Sequence, residues 1–407
     1  MCQRVNSLPR LLATEYANFR HEITLALISE LSNLEKTLGR SVVLFDPMAG
    51  TAPLLPFVEL KGHTAYFNDL NTLHLFVNQA KRYCAYDCFR QLGEAGCLTA
   101  LMDSAPELMH ARRLVTDEWI DSSTLDALVL AWRRLCGMPS EMANVLKGIL
   151  LLSIRDFSSF APTSNPTWFK PGGMRRNPST KDAFETAIRK LAQYYQKAYQ
   201  DQTPCRKSAV NLLAQDAACL VLPEAVDVIA TSPPFCNRVD WDRLYAPEHF
   251  FLDAVGFPHC KTSFVGTTAV KSYEGFEQER SWLACNSPLV DEFLVGVKDT
   301  QIQHERKSDY YVRYFTRYFF ALFQVFENPI RSLVDGGGAV YYAVQDNSHR
   351  GQLISLREAL SDFFQARGFE VSPVNAWHRH HLGLQNVSRR HRIVRVRQVE
   401  SLMVARR

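Results

Sequence analysis

Two short polar elbows, each placed directly after an apolar, β-branched run, constrain this chain more than anything else in its 407 residues. The first run, Ser41-Val42-Val43-Leu44, leads into Phe45-Asp46-Pro47-Met48-Ala49-Gly50-Thr51. The second, Val226-Asp227-Val228-Ile229-Ala230, leads into Thr231-Ser232-Pro233-Pro234-Phe235. Short apolar runs bounded by turn residues fit strands buried on both faces, the habit of a parallel sheet. In open α/β sheets, ligands sit just beyond the carboxyl ends of such strands. Two elbows of this kind can hold two ligands side by side.

The rest of the chain alternates in a compatible way. Phe19, Ile23, Leu25, Leu27, Ile28 and Leu31 predict a helical lead-in that ends at the turn Gly39-Arg40. A helix is predicted from about Leu54, then a strand Thr64-Ala65-Tyr66-Phe67 ending at Asn68-Asp69. From Asn71 to Asp201 the spacing is helical without a clear strand, far too long for an ordinary connection. It predicts an inserted helical subdomain over 71–204, interrupted by a breaker-rich loop from Ser164 to Arg176. Sheet pattern resumes at Ala209–Leu213 and Val226–Ala230, and Cys236 to Gln303 reads as an irregular, aromatic and turn-rich region. Then come a helix over Asp309–Glu327, a strand Ala339–Val344 opened by three glycines, a helix over Gln352–Arg367, and closing strands near Val371–Trp377 and Ser401–Ala405. The expected fold class is α/β, a mostly parallel doubly wound sheet with a helical insertion. Residues 1–70 and 205–407 would form its core, with 71–204 inserted between them.

Hydrophobic content of 46% and charged content of 22% fit an ordinary globular protein. No apolar run approaches the ~18–20 residues that span a bilayer, and Met1-Cys2-Gln3-Arg4 is not followed by a signal-type core, so no membrane partner and a cytoplasmic location are expected. The ten cysteines are scattered without a Cys-x-x-Cys pair, which predicts free thiols and no metal site. The net charge of +4 decides nothing about partners, but its distribution is uneven. Trp377 to Arg397 holds Arg379, Arg389, Arg390, Arg392, Arg395 and Arg397, four histidines and no acid. That stretch is either a phosphate-neutralising surface or a solvated hairpin.

The elbows differ in chemistry. The first is built of small residues, so its backbone can approach a ligand closely, but it has Gly50 alone and lacks the Gly-x-Gly-x-x-Gly of a pyrophosphate cradle. Asp69 ends the next strand, where an acid either accepts hydrogen bonds from ribose hydroxyls or caps a helix. In the second elbow the two prolines stiffen the backbone, while the Ser232 hydroxyl and the Pro233 carbonyl supply acceptors. Acceptors that grip the two N–H bonds of an exocyclic amine pull its nitrogen toward tetrahedral geometry and free its lone pair. Phe235 adds a flat face on which an extruded base can stack.

Together, Asp46-Pro47-Met48-Ala49-Gly50-Thr51 and Thr231-Ser232-Pro233-Pro234-Phe235 resemble the cofactor and catalytic motifs of S-adenosylmethionine-dependent methyltransferases that modify amino groups of DNA bases. Ser before Pro-Pro looks most like the cytosine-N4 branch, with Phe235 where Tyr is more usual. The resemblance covers about residues 41–70 and 205–245 and implies a Rossmann-like class I methyltransferase fold. It implies that Asp46, Pro47, Met48, Ala49, Gly50, Thr51, Asp69 and Thr231 hold S-adenosylmethionine, with Asp216, read as the end of the third strand, at the adenine amino group. It implies double-stranded DNA as substrate, with a cognate restriction or defence nuclease as partner. Lys170, Arg175 and Arg176 in the insertion, Arg238 after the second elbow, and Arg389, Arg390 and Arg392 are the candidate DNA contacts, and 236–305 is a candidate recognition insert. Arg238 can equally pair with Asp240.

Two other base chemistries do not fit. Cys236 follows Phe235 rather than Pro, so it lacks the Pro-Cys setting of a cytosine-C5 nucleophile and reads as a packed thiol. Neither the His-x-Glu nor the Pro-Cys-x-x-Cys of a zinc deaminase occurs. The remaining alternatives are an adenine-N6 DNA or RNA methyltransferase, and a nucleic-acid-binding protein with a decayed methyltransferase core.

Overall fold

A computed structural model describes residues 21–110, 118–162, 169–171, 178–205, 207–234, 236, 241–258, 265–266, 274–303, 309–349, 352–380 and 397–407. Helix α1 (His21–Leu38) precedes strand β1 (Val43–Asp46), helix α2 (Leu55–Lys61) and strand β2 (Thr64–Asn68). Helices α3 (Thr72–Lys81), α4 (Tyr83–Ser104), α5 (Pro106–His110), α6 (Ser122–Cys136), α7 (Ser140–Ser153) and α8 (Thr180–Tyr199) follow. The sheet resumes with β3 (Ala209–Leu213) and β4 (Val228–Thr231). Beyond it lie α9 (Trp241–Leu244), α10 (Ala246–Ala254), α11 (Phe276–Asn286), α12 (Pro288–Gln303) and α13 (Tyr310–Glu327). Strand β5 (Ala339–Gln345), helix α14 (Leu356–Gln365) and strands β6 (Glu370–His380) and β7 (Arg397–Arg406) complete the chain.

The seven strands form one sheet in the order β6-β7-β5-β4-β1-β2-β3. All are parallel except β7, which runs antiparallel between β5 and β6. Its side chains alternate between two apolar layers, as the period of two requires. Ala339, Tyr341 and Ala343 of β5 join Ile23, Leu27, Ile28 and Leu31 of α1 and Phe57 of α2 on one face. Val340, Tyr342 and Val344 meet Phe319 and Phe323 of α13 and Phe363 and Phe364 of α14 on the other. There, Phe323 and Phe363 stack with centroids 4.8 Å apart. Burying side chains of this size contributes roughly 1.5–3 kcal/mol each, so two filled faces account for the sheet's runs being apolar rather than alternating.

At the amino ends of β1 and β4, buried Asp227 accepts two hydrogen bonds from Arg40, at 2.6 and 2.8 Å, and one from the Val43 N–H at 2.8 Å. This ties together two strands whose first residues, Val43 and Val228, are 185 positions apart in sequence, Arg40 lying just ahead of the first strand.

Helices α3 to α8 enclose a separate apolar cluster, with Phe76, Trp132, Leu146, Ile149, Phe184, Leu191 and Tyr195 inside it. Leu244, Tyr245, Phe251 and Leu252, which follow the second elbow, also enter that cluster. The chain therefore returns to the helical region straight after β4.

Four expectations need correction. The helical region contains a short antiparallel hairpin, Phe160–Pro162 with Phe169–Pro171. The stretch expected to be irregular from Cys236 to Gln303 holds helices α9 to α12, whose buried Leu283, Val290, Leu294 and Val297 pack under α13. The helix expected from Gln352 starts at Leu356, because Gln352–Ile354 pairs with Asn347–His349 and the Ser355 hydroxyl caps the helix by accepting from the Glu358 N–H. Asp216 lies beyond β3, not at its end: it is exposed in a turn, where its carboxylate accepts the Ala218 N–H at 3.0 Å. No helix among the described residues is long and apolar enough to cross a membrane.

Candidate functional site

Strands β1 and β4 are neighbours, with Leu44 opposite Val228 and Phe45 opposite Ile229. One residue further on, both elbows leave the sheet side by side, about 5 Å apart as adjacent strands are. From β1 the chain builds outward through β2 and β3, whereas β4 and β5 lie on the other side. The two elbows thus meet at the point where the strand order reverses, the place where open α/β sheets bind ligands.

Asp46 is buried, and its Oδ1 accepts the Met48 N–H at 3.1 Å. Burial pushes its carboxyl up to about 7, with the Thr231 hydroxyl and the Met48 N–H pulling down against it and the Asp69 charge adding to the rise. Between its ordinary value and about 7, the folded chain therefore holds a proton at Asp46 that the unfolded chain has released. The contribution of Asp46 to stability falls as pH rises through that interval. Asp46→Asn imitates the protonated form, so its stability relative to the parent should rise on the order of 4 kcal/mol between about pH 4 and about pH 8. Denaturant unfolding of both proteins across that range measures this, and a constant difference would contradict it.

Asp69 is partly buried and firmly held. Its Oδ2 accepts the Gly50 N–H at 2.8 Å, its Oδ1 accepts the Asn71 N–H at 2.8 Å, and His74 Nδ1 lies 3.2 Å from Oδ2. Burial pushes this carboxyl up, but His74 and the two backbone N–H groups outweigh it, and the value falls below the usual carboxylate range. The cap of α3 is Asn71, whose side chain accepts the Leu73 N–H, so Asp69 is not itself the cap. A carboxylate offers about four lone-pair positions, so these contacts do not use up its capacity to accept.

The first elbow is shaped by protein contacts rather than left open. Gly50 has φ +53° and Ala52 φ +41°, a left-handed conformation that costs a non-glycine residue roughly 1–3 kcal/mol. The Asn68 side chain donates to the Pro47 and Gln215 carbonyls and accepts the Gln215 N–H, joining the ends of β1, β2 and β3. Ala49 donates to the Asn68 carbonyl at 2.8 Å. The N–H groups of Ala49, Gly50 and Ala52 are used within the protein, so a ligand approaching the small-residue elbow meets a backbone whose donors are already engaged at these positions. Pro47, Ala49 and Thr51 are buried, whereas Met48, Gly50 and Asp69 keep partly open surfaces.

In the second elbow, Thr231 and Pro233 are buried and Ser232 and Pro234 are partly open. Ser232 Oγ is 3.5 Å from the Ala343 carbonyl, a weak contact that leaves it able to bond elsewhere. The Tyr318 hydroxyl, from buried α13, donates to the Pro234 carbonyl at 2.5 Å and fixes the turn. Cys236 is buried, and burial pushes its thiol well up, which removes it as a nucleophile. Phe235, Arg238, Arg175, Arg176, Arg389, Arg390 and Arg392 lie outside the described residues, and of Lys170 only its place in the short hairpin strand is described.

The structure thus brings Asp46, Pro47, Met48, Ala49, Gly50, Thr51 and Asp69 together with Thr231, Ser232, Pro233 and Pro234, and leaves Asp216 on the exposed turn after β3. Asn68, His74, Asn78, Lys81 and Tyr318 also belong to this constellation and were not foreseen. Three of them carried a readable signal: His74, Asn78 and Lys81 form an i, i+4, i+7 polar stripe that is buried along with the helix's apolar residues. Compared with known families and with curated proteins, the chain matches no family model and no curated sequence.

Proposed function

We propose that this chain is a methyltransferase of the Rossmann-like class I type that uses S-adenosylmethionine to methylate N4 of cytosine in double-stranded DNA. One observation carries the reading: the two motif-bearing elbows leave neighbouring parallel strands at the switch point of the sheet. A cofactor and a base held there would lie side by side, and proximity of two bound reactants is itself a large part of catalysis.

The residues present fit the cofactor. Asp69 is held ionised and partly open, which suits the hydroxyls of a ribose. Asp46, uncharged over much of the range below about 7, stands beside Thr231, where an approaching cation would favour its ionised form. S-adenosylmethionine supplies, when bound, a methyl group on a positively charged sulfur. Ser232 and the Pro233 carbonyl would accept the N–H bonds of the cytosine amine and sharpen its lone pair, and Tyr318 keeps the backbone of this turn in place. Phe235 would stack on the extruded base. Arg389, Arg390 and Arg392, between β6 and β7 in sequence, are proposed phosphate contacts, as are Lys170, Arg175, Arg176 and Arg238.

The test is chemical. DNA incubated with the full chain and S-adenosylmethionine is digested to nucleosides and weighed. N4-methylcytosine is the expected product. N6-methyladenine alone would move the reading to the adenine branch, and no methylated nucleoside, with no binding of S-adenosylmethionine, would leave only a decayed core.

A further inference from the structure

The polar stripe of α3 points at the first elbow. Asn78 Nδ2 donates to the Gly50 carbonyl at 2.8 Å, and Lys81 Nζ donates to the Thr51 carbonyl. One turn earlier, His74 faces Asp69, which holds the Gly50 N–H. Two consecutive carbonyls of the elbow are thus gripped from one helix, and the amide between Ala49 and Gly50 is held by Asp69 just ahead of it. They directly precede Ala52, whose left-handed backbone needs outside support.

Both gripping side chains are costly to place. Asn78 is 3% exposed and Lys81 4%, and a buried ammonium group loses far more hydration than a surface lysine does. Lys81 is accommodated by the Thr51 carbonyl and by the ring of Tyr194 from α8, 5.1 Å away. Helix α3 is in turn fixed at Ala80, between the two gripping residues. The Tyr195 hydroxyl donates to the Ala80 carbonyl, and Gly148 of α7 approaches so closely that an added Cβ would stand 2.3 Å from the Ala80 Cβ. A glycine is needed there because the two helices touch backbone to side chain. Buried Glu59, just behind the elbow on α2, accepts from Arg82, from the Tyr83 N–H at 2.9 Å and from the Tyr199 hydroxyl at 2.7 Å, locking α2 to the same helices.

We infer that Asn78 and Lys81 are positioning residues for the cofactor, and that the helices α3, α7 and α8 form the back of the cofactor site, whatever contacts the loop between α7 and α8 makes with DNA. The clamp is a matter of geometry alone; its service to S-adenosylmethionine rests on the function proposed above. Neither side chain touches the ligand. They hold the elbow in the one strained shape that leaves Met48, Gly50 and Asp69 facing outward.

Two readouts on the full chain test this. Hydrogen exchange of the segment 47–55 should speed up in Asn78→Ala and in Lys81→Met, while the segment 122–153 keeps parental protection. S-adenosylmethionine affinity by calorimetry should weaken about tenfold in both variants, and Lys81→Arg should recover most of it. Gly148→Ala, which pushes on Ala80 from α7, should loosen the same elbow without altering any residue near it. Should Lys81→Met fail to fold, Asn78→Ala and Gly148→Ala carry the test. Parental exchange in 47–55 with parental affinity in Asn78→Ala overturns the inference. Faster exchange there, in a protein whose parent does not bind S-adenosylmethionine, upholds the clamp and refutes the functional reading instead.

Discussion

Ser232→Ala should lower the rate of methyl transfer by a transition-state term of about 2–4 kcal/mol, with little change in folding or cofactor affinity. The hydroxyl is partly open, and its hydrogen bond among the described residues is the weak 3.5 Å approach to the Ala343 carbonyl. A hydrogen bond of that length contributes little to stability, so alanine should be tolerated by the fold. What alanine removes is an acceptor for the amine that must become nucleophilic. The loss should therefore appear in kcat, with the Kd for S-adenosylmethionine unchanged. Single-turnover rates on a DNA substrate, measured beside calorimetry, separate the two. A parental rate would show that Ser232 takes no part in the chemistry. A lost rate accompanied by lost affinity would make the residue a structural support of the elbow. Tyr318, which holds the neighbouring Pro234 carbonyl, is then the partner through which that support would act.

Asp69→Ala should weaken S-adenosylmethionine binding by roughly 1.5–3 kcal/mol, tenfold or more, through two losses at once. It removes an acceptor for ribose hydroxyls, and it also orphans the Gly50 and Asn71 N–H groups that this carboxylate now satisfies. The two can be told apart by ligand rather than by residue. The parent should prefer adenosine over 2′-deoxyadenosine, because an ionised acceptor without its donor loses affinity. In Asp69→Ala that preference should vanish, while the general weakening from a loosened elbow remains for both ligands. If the variant keeps the parental preference, Asp69 serves only as a clamp on Gly50 and the ribose assignment fails.

Much of this site was legible locally. The runs ending at Leu44 and Ala230 announce buried strands, and the breaker residues after them announce turns with special backbone. Gly50 does adopt a positive φ, and Asp69 does close β2 beside it. The spacing of α1 and α13 was readable because each presents one apolar stripe at helical period. The segment after Cys236 was misread for the opposite reason. Its aromatic and turn-forming residues have weak helical preference, and burial under α13 overrides it. Asp216 was placed too early because a strand's end is set by its neighbour, here β2 ending at Asn68 opposite Leu213.

The amino-acid sequence by itself marked most of the segments that become strands and helices, which of their faces are apolar, and which two turns carry the motifs. Those properties are local: a period of two or of 3.6, a β-branched run, a proline pair. Only the tertiary structure decided that β4 lies against β1, that β7 enters antiparallel between β5 and β6, and that the two elbows therefore meet. It also decided which elbow the stripe of His74, Asn78 and Lys81 would hold, and that Gly148 would let their helix come close enough. Such pairings join residues tens to hundreds of positions apart. No local preference encodes them, because their free energy comes from burying faces against each other and satisfying buried polar groups once the whole chain has closed.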